Sequence, residues 1–294
     1  MIQYVYLGRV GYDEGLRLQA EIAGLVAERR AGNVLLLMEH PPVLTLGRNA
    51  KRANILASDV FLKQRGVTIH EINRGGDVTY HGPGQLVGYP IFDLRTLRTA
   101  SGARMGPVDF VRGMEEALIR LCGEFGVKAG RICGLTGVWC GRTVGSDQWS
   151  VVSSQGGKDS HDATGSGGVA RKIGAIGIHV ARGITSHGFA LNVTTDLREF
   201  DLIVPCGIAD HAVTSLAREV EKPKELPALE ELARMAAREF GEVFGEPVVE
   251  VKSLAALREQ AATATPQFPA EDTPLRVPPE VEWLRGGDER PIRA

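Results

Sequence analysis

Three short stretches hold residues able to do chemistry together. Cys206 lies in the run VPCGI (204–208), where Pro205 restrains the backbone before it and Gly207 leaves open space after it. A free cysteine has a pKa of about 8.5, so only roughly a few per cent is thiolate at neutral pH; a neighbouring base or cation raises that share and makes a nucleophile. Lys172, near the start of RKIGAIGIHV (171–180), is the candidate for that neighbour. A lysine opening an apolar strand can point inward, where desolvation turns a permanent cation into a usable base. The third stretch, RGGDVTYHGPGQLVGYPIFDL (74–94), carries Arg74 as a fixed charge and His81 at a turn. Around them Gly75, Gly76, Gly82, Gly84 and Gly88 remove side chains, which lets the backbone come close to a ligand.

Each stretch also has a plainer reading, and taken singly the plainer one is preferred. Cys206 fits a small buried hydrophobe, as do Cys122 on an apolar helix face and Cys133 and Cys140 in strand-like surroundings. Lys172 fits an exposed strand end, and the glycine-rich block fits a hairpin with structural turns. His187, in TSHGFALN, shares with His81 a turn-like place beside a glycine where an imidazole can face a cleft; His40 and His179 read as structural. The block contains neither a GxxxxGK[ST] nor a GxGxxG pattern, so a nucleotide phosphate loop is not expected. The four cysteines match neither a disulfide scaffold nor a CxxC zinc site, so reduced thiols and no metal are expected.

The elements that must position these residues follow from periodicity. Leu18, Ile22, Leu25 and Val26 line one helix, capped by Asp13 and ending near Arg29, Arg30 and Gly32. Val111, Met114, Leu118, Leu121, Cys122 and Phe125 line a second, with Pro107 near its first turn and Gly126 beyond its last. Leu229, Leu232, Ala236, Phe240 and Val243 line a third. Strand-like runs fall at 34–38, 43–47, 67–72, 77–80, 85–92, 172–180 and 189–193. This pattern predicts a mixed α/β (α+β) domain around one sheet with helices packed on it.

Two segments differ from the rest. Residues 141–170 are rich in Gly and Ser and read as a surface insertion. Beyond about residue 260 the chain turns Pro-rich and charged, which suggests one main domain over 1–252 and a C-terminal extension over 253–294, with Trp283 and Leu284 as its anchor. With 294 residues, 43 % of them hydrophobic, the chain can bury a full core. Its 34 basic and 36 acidic residues nearly balance, which gives no reason to expect a nucleic acid or an anionic membrane as partner. The first residues lack the charged and apolar regions of a secretory signal, and Val34 to Met38 is too short to span a bilayer, so the expected location is cytoplasmic.

Taken in order, the motifs do more than they do singly. The series EHPPVLTLGR (39–48), RGGDVTYHGPGQLVGYPIFDL (74–94), GLTGVWC (134–140), RKIGAIGIHV (171–180), SHGFALNV (186–193) and FDLIVPCGI (200–208) resembles the lipoyl(octanoyl) transferase family over about residues 35–216. The resemblance implies the fold of biotin and lipoate protein ligases, and transfer of octanoyl from acyl carrier protein to a lysine of a lipoyl domain. The acceptors it implies are E2 subunits of 2-oxoacid dehydrogenases and the glycine cleavage H protein. Carried over residue by residue, Cys206 becomes the acyl-thioester nucleophile and Lys172 the residue that activates it. Arg74, Gly75, Gly76, Asp77, Val78, Thr79, Tyr80 and His81 become one wall around the acyl substrate. Ala175, Ile176 and Gly177, with Gly188, Phe189 and Ala190, become the others, and His187 is a possible support. Residues 141–170 are longer than the short turn usual in the family; as an insertion ending at Lys172 they read as a lid, a docking loop or a tolerated loop.

Thioester exchange onto a cysteine is roughly isoenergetic and aminolysis to an amide is downhill, so no ATP or other cofactor is expected. Burying an acyl tail of about seven carbons contributes roughly 5 kcal/mol. The competing readings are an ATP-dependent lipoate or biotin ligase, which would not need Cys206, and a non-catalytic module binding carrier protein or lipoyl domains, which would need neither Cys206 nor Lys172. A thioesterase would differ only in admitting water to the acyl group.

Overall fold

Runs with helical spacing form helices here, and pleated runs form strands. The computed structural model describes residues 1–141, 170–204, 212–221 and 226–265. The first half contains β1 (Ile2–Arg9), α1 (Tyr12–Ala27), β2 (Asn33–Glu39), β3 (Val43–Leu46), α2 (Asp59–Gln64), β4 (Thr68–Glu71), β5 (Val78–His81) and β6 (Gln85–Ile91). Then come α3 (Pro107–Glu124), β7 (Ala129–Ile132), β8 (Leu135–Cys140), β9 (Arg171–Ala181) and β10 (Ile184–Asn192). The described chain closes with β11 (Ala212–Val213), α4 (Leu216–Glu219), α5 (Leu229–Phe244), β12 (Val248–Glu250) and α6 (Leu254–Thr263).

The three helices read from periodicity are α1, α3 and α5. Gly11, not Asp13, is the N-cap of α1; Asp13 and Glu14 sit in its first turn, where their charge complements the exposed N–H groups. Pro107 occupies the first turn of α3 as expected. α5 ends at Gly245 in the left-handed conformation, a stop that favours glycine.

The expected sheet is present, and a second, smaller one accompanies it. Among the described residues nine strands form a mixed sheet in the order β12-β1-β2-β6-β10-β9-β8-β7, with β11 paired to β9. Pairing is parallel from β12 through β2 and antiparallel from β2 to β7. The small sheet has the order β4-β3-β5. Its long-range parallel pair, β3 with β4, leaves no turn signature in the sequence.

Both faces of the large sheet are covered, so its strands carry apolar residues on each side. α3 and α5 cover one face, where Phe240 and Phe244 reach Phe92, Phe110 and Phe189 at ring-centroid distances of 5.2 to 6.5 Å. α1 covers part of the other face through Leu18, Ile22 and Val26. α6, the first part of the 253–294 stretch, adds Leu257 to that layer and ties Arg258 to Glu21 at 2.6 Å. The small sheet has its own core of Leu44, Leu46, Val78 and Tyr80, closed by Leu62 of α2 and by Phe200, Leu202 and Ile203.

Cys122 and Cys140 are buried, as their surroundings suggested, and burial pushes both thiols up in pKa. Cys133 differs: it lies in the turn joining β7 and β8 and is exposed. No helix among the described residues is long and apolar enough to cross a membrane. Residues 142–169, which hold nearly all of the proposed insertion, lie outside the described residues, as do Cys206, Trp283 and Leu284.

Candidate active site

A cavity of about 230 Å³ opens where α1 stops covering the large sheet. Small residues make the room. On β9 and β10, Ala175 pairs with Ala190 and Gly177 with Gly188, and Ala190 pairs onward with Val87 of β6. Strand alternation puts these residues on one face, while Ile176, Ile178 and Phe189 pack into the core on the other. A face that would otherwise carry branched side chains is therefore a shallow apolar floor. Val87, Tyr89 and Tyr12 stand at its α1 side.

The roof is the segment leading into β5. Gly75 N–H donates to the Ile178 carbonyl at 3.0 Å, which holds the segment against β9. Gly177 allows this approach, because a Cβ there would lie 2.6 Å from the Gly75 oxygen. Arg74 is buried. Its guanidinium donates to Gly75 O at 2.9 Å, Thr45 O at 3.0 Å, Thr45 Oγ1 at 2.9 Å and Asp77 O at 2.8 Å. The planar fork thus fastens the roof to the small sheet and puts a fixed positive charge beside the cavity. Alternation then divides the block: Thr79 and His81 line the cavity with Arg74, Gly76 and Asp77, whereas Val78 and Tyr80 turn into the small-sheet core.

Lys172 stands at the opposite end from Tyr12 in sequence order and lines the same cavity. Its Nζ lies 4.6 Å from the ring centroid of Trp139, its partner across the β8–β9 pair, in cation–π contact. Strand β9 is pinned just before it: Arg171 donates two 2.9 Å hydrogen bonds to Glu219, which also accepts from Thr214 Oγ1 at 2.6 Å. Burial works against the Glu219 carboxylate, but the Arg171 and Thr214 hydrogen bonds outweigh it and lower its pKa. On the neighbouring strand Gly137 takes φ of +124°, and Gly134, Leu135 and Thr136 line the cavity beside Lys172.

The imidazoles are held by directed hydrogen bonds. His81 Nδ1 faces Gln85 Oε1 at 2.7 Å. Burial above all, then the neighbouring His40, lowers the His81 pKa to about 3. His187, at φ of +57°, bonds through Nε2 to Asn73 Oδ1 at 2.8 Å, and burial followed by Arg74 lowers its pKa to about 4. His40 spans Val10 O and Tyr89 Oη, each at 2.7 Å. Both cavity histidines are therefore neutral at physiological pH. Among the described residues no group of three or more His, Cys, Asp or Glu is placed to hold a metal ion.

The cavity brings together Lys172, Arg74, Gly76, Asp77, Thr79, His81, Ala175, Ile176, Gly177, Gly188, Phe189, Ala190 and His187. Gly75, Val78 and Tyr80 are not among its lining residues, and Cys206 lies outside the described residues. Tyr12 lines it from outside every quoted motif, and Val87, Tyr89, Gly134, Leu135 and Thr136 line it from within motifs in which they had been given no site role. For Tyr12 a signal existed: an aromatic residue opens α1 directly after the Gly11 cap, where it can reach past the helix end.

Residues 11–241 match the lipoyl protein ligase A/B catalytic domain family. An octanoyltransferase of Acidobacterium capsulatum is 53 % identical over 266 residues, covering 90 % of this chain and 99 % of that protein. An octanoyltransferase of Koribacter versatilis is 46 % identical, with 98 % of each chain covered. In fold, the chain is similar to the bi-partite lipoate protein ligase of Thermoplasma acidophilum, with a TM-score of 0.60, 16 % identity, and coverage of 89 % of this chain and 91 % of that one. It is also similar to a lipoate-protein ligase A bound with ATP, with a TM-score of 0.58, 15 % identity, and coverage of 89 % and 93 %. By sequence over nearly its whole length, the chain belongs to the octanoyltransferases of the lipoyl protein ligase A/B catalytic domain family.

Proposed function

We propose that Cys206 takes the octanoyl group from an acyl carrier protein as a thioester and passes it to a lysine of a lipoyl domain, with Lys172 handling the proton at both steps. The observation that carries this reading is the position of Lys172 in the cavity together with its strand pairing. β11, the strand that follows Cys206 in sequence, pairs with β9 so that Val213 faces Lys172. On the other side of Cys206, Val204 N–H donates to Asn54 O at 2.8 Å, and the Asn54 side chain donates to cavity residue Asp77 at 2.8 Å. The stretch bearing the cysteine thus leaves and rejoins the described fold beside cavity residues.

In the first step the Cys206 thiolate attacks the carrier thioester. The new C–S bond forms, the carrier sulfur leaves, and the proton that Lys172 took from Cys206 passes to it. In the second step the amine of the acceptor lysine attacks the acyl-enzyme, the amide forms, and Cys206 leaves as thiolate while Lys172 accepts the amine proton. The floor of Ala175, Gly177, Gly188 and Ala190 holds the acyl chain, and Arg74 through His81 wall it in. Backbone N–H groups of this glycine-rich wall stabilise each oxyanion. The reaction runs without ATP, because the thioester already carries the activation, and it takes place in the cytoplasm. Lipoyl domains of 2-oxoacid dehydrogenase E2 subunits and the glycine cleavage H protein are the acceptors.

Intact-mass spectrometry after mixing with octanoyl-carrier protein, without ATP, tests this. The expected result is one hydroxylamine-sensitive octanoyl adduct, absent in Cys206→Ser and slow to form in Lys172→Ala. A folded protein with no adduct would overturn the covalent scheme and favour an ATP-dependent ligase.

A further inference from the structure

The hydrogen bonds around His81 settle which of its nitrogens carries the proton. Gln85 Nε2 donates to Tyr80 O at 3.2 Å and to Asn192 Oδ1 at 2.9 Å, and Asn192 Nδ2 in turn donates to Thr214 O at 2.9 Å. Two backbone carbonyls, which can only accept, thus fix the orientation of both amides. The amide oxygen of Gln85 must then face His81, so His81 Nδ1 holds the hydrogen and Nε2 holds a lone pair. The ring plane is fixed as well, by Tyr12 stacked at 6.2 Å and the His40 ring edge-on at 6.2 Å. His81 is only 8 % exposed, yet it lines the cavity, and among the described residues no protein donor meets its Nε2. An acceptor that faces the cavity without a protein partner is open to a donor on the ligand.

Of the other polar groups of the cavity, His187 is the second neutral imidazole, with Nε2 bonded to Asn73 Oδ1, and most of the rest are donors or already committed. Arg74 can only donate, and Lys172 is the group that removes the amine proton at the second step, a role distinct from holding the amine in place. His40 Nδ1 must donate to Val10 O, so the Tyr89 hydroxyl spends its hydrogen on His40 Nε2. The Asp77 carboxylate already accepts from Val78 N–H at 2.6 Å and from Asn54 at 2.8 Å. A carboxylate would in any case hold an incoming lysine as its ammonium, which has no lone pair with which to attack. A neutral imidazole accepts an N–H without demanding the proton.

Resting on the acyl transfer proposed above, we propose that His81, through Nε2, accepts a hydrogen bond from the incoming lysine amine and turns its lone pair towards the acyl thioester. The acyl group itself, a thioester carbonyl on a hydrocarbon chain, offers no donor whereas the incoming amine does, so this contact is assigned to the second half-reaction. His81 orients the amine and takes no proton from it, since its ring stays neutral far below physiological pH.

Single-turnover kinetics separate the two half-reactions. Because His81 also walls in the acyl chain, octanoyl loading from octanoyl-carrier protein falls about threefold in His81→Phe and is the reference against which discharge is read. Discharge of the acyl-enzyme to a lipoyl domain falls at least about 30-fold, the size of one hydrogen bond to a reacting group. His81→Gln, which returns an acceptor near the Nε2 position, recovers most of the discharge rate. Loading and discharge falling by the same factor, or discharge unchanged in His81→Phe, would overturn the assignment. A native protein that never loads would instead overturn the acyl transfer itself. A readout that needs no change at His81 is the imidazole nitrogen spectrum of Cys206→Ser protein labelled at histidine. The expected result is a neutral Nδ1–H ring whose Nε2 resonance moves when the lipoyl domain is added. An Nε2 that is protonated, or that ignores the lipoyl domain at saturation, would also overturn it.

Discussion

The side chain of Lys172 lies across Gly137: a Cβ at that glycine would come within 3.4 Å of Lys172 Cε and 2.6 Å of the Gly174 carbonyl oxygen. The lysine therefore depends on a missing side chain one strand away. Gly137→Ala meets both a backbone φ of +124° and this contact. It is expected to lower stability by about 2 kcal/mol and to slow octanoyl loading by roughly tenfold or more. Urea unfolding and acyl-enzyme mass measure the two effects separately.

Glu115 holds that glycine from behind. It is fully buried on α3. One carboxylate oxygen accepts from Gly137 N–H at 3.0 Å, and the other accepts from Arg112 at 2.6 Å and Arg131 at 3.1 Å. Glu115→Ala leaves the N–H unsatisfied and two partly exposed arginines without their shared partner, at a cost of about 3 kcal/mol. Glu115→Gln keeps one acceptor for Gly137 and is expected to lose less than half of that. Urea midpoints of the two variants give the comparison.

Acyl length should follow the floor. Ala190 pairs with both Ala175 and Val87 at the centre of the cavity. Ala190→Val adds two methyl groups there and displaces about two methylenes of substrate. Loading from octanoyl-carrier protein is expected to fall about tenfold, at about 0.8 kcal/mol per methylene. Loading from the hexanoyl donor should be retained. A uniform loss across donors would show that Ala190 supports the fold and does not measure the chain.

Stability should fall in mild acid. In the folded protein burial holds His81 and His187 unprotonated down to about pH 3 and 4, whereas in the unfolded chain both take up protons below about 6.5. The stabilisation is complete above the unfolded value and is lost as pH drops towards the folded values. Between roughly pH 6 and 4 each histidine removes about 1.4 kcal/mol per pH unit. Urea unfolding at pH 7, 6 and 5 should show this slope, and His81→Gln should remove one histidine's share.

Periodicity made the helices legible because α1, α3 and α5 each bury one face on the same sheet. Leu18 and Ile22, Met114 and Leu118, and Leu232 and Ala236 repeat at the spacing that burial demands. β1 escaped notice because it is buried on both sides: Ile2 and Tyr4 enter one core and Val5 the other, which erases alternation. The short β7 and β12 depend on partners far away in sequence.

Motif order pointed to most of the cavity lining, since Arg74, Lys172 and the small residues of β9 and β10 sit in continuous blocks. Tyr12 comes from α1, outside every motif, and only the stacking of α1 on the sheet puts it at the site; Val87 and Tyr89 lie in the 74–94 block, but their facing towards the cavity follows from the pairing of β6. The division of the 74–81 block was hidden for a related reason. Thr79 and His81 face the cavity because Val78 and Tyr80 pair with β3 and pack into the small sheet's core, and nothing in the motif announces that second sheet.

The pairing of β12 with β1 bears on how the protein comes off the ribosome. β1 precedes its outer parallel neighbour, which begins at Val248, by more than two hundred residues. The Phe240 and Phe244 rings that cover Phe92 and Phe110 also arrive late. A nascent chain that has completed β10 can form the central strands, but it carries a naked aromatic surface until α5 emerges. Translation speed through 193–244 therefore sets how long that surface stays open to chaperones, and a chain terminated before α5 would present it permanently to the proteases that clear unfinished products.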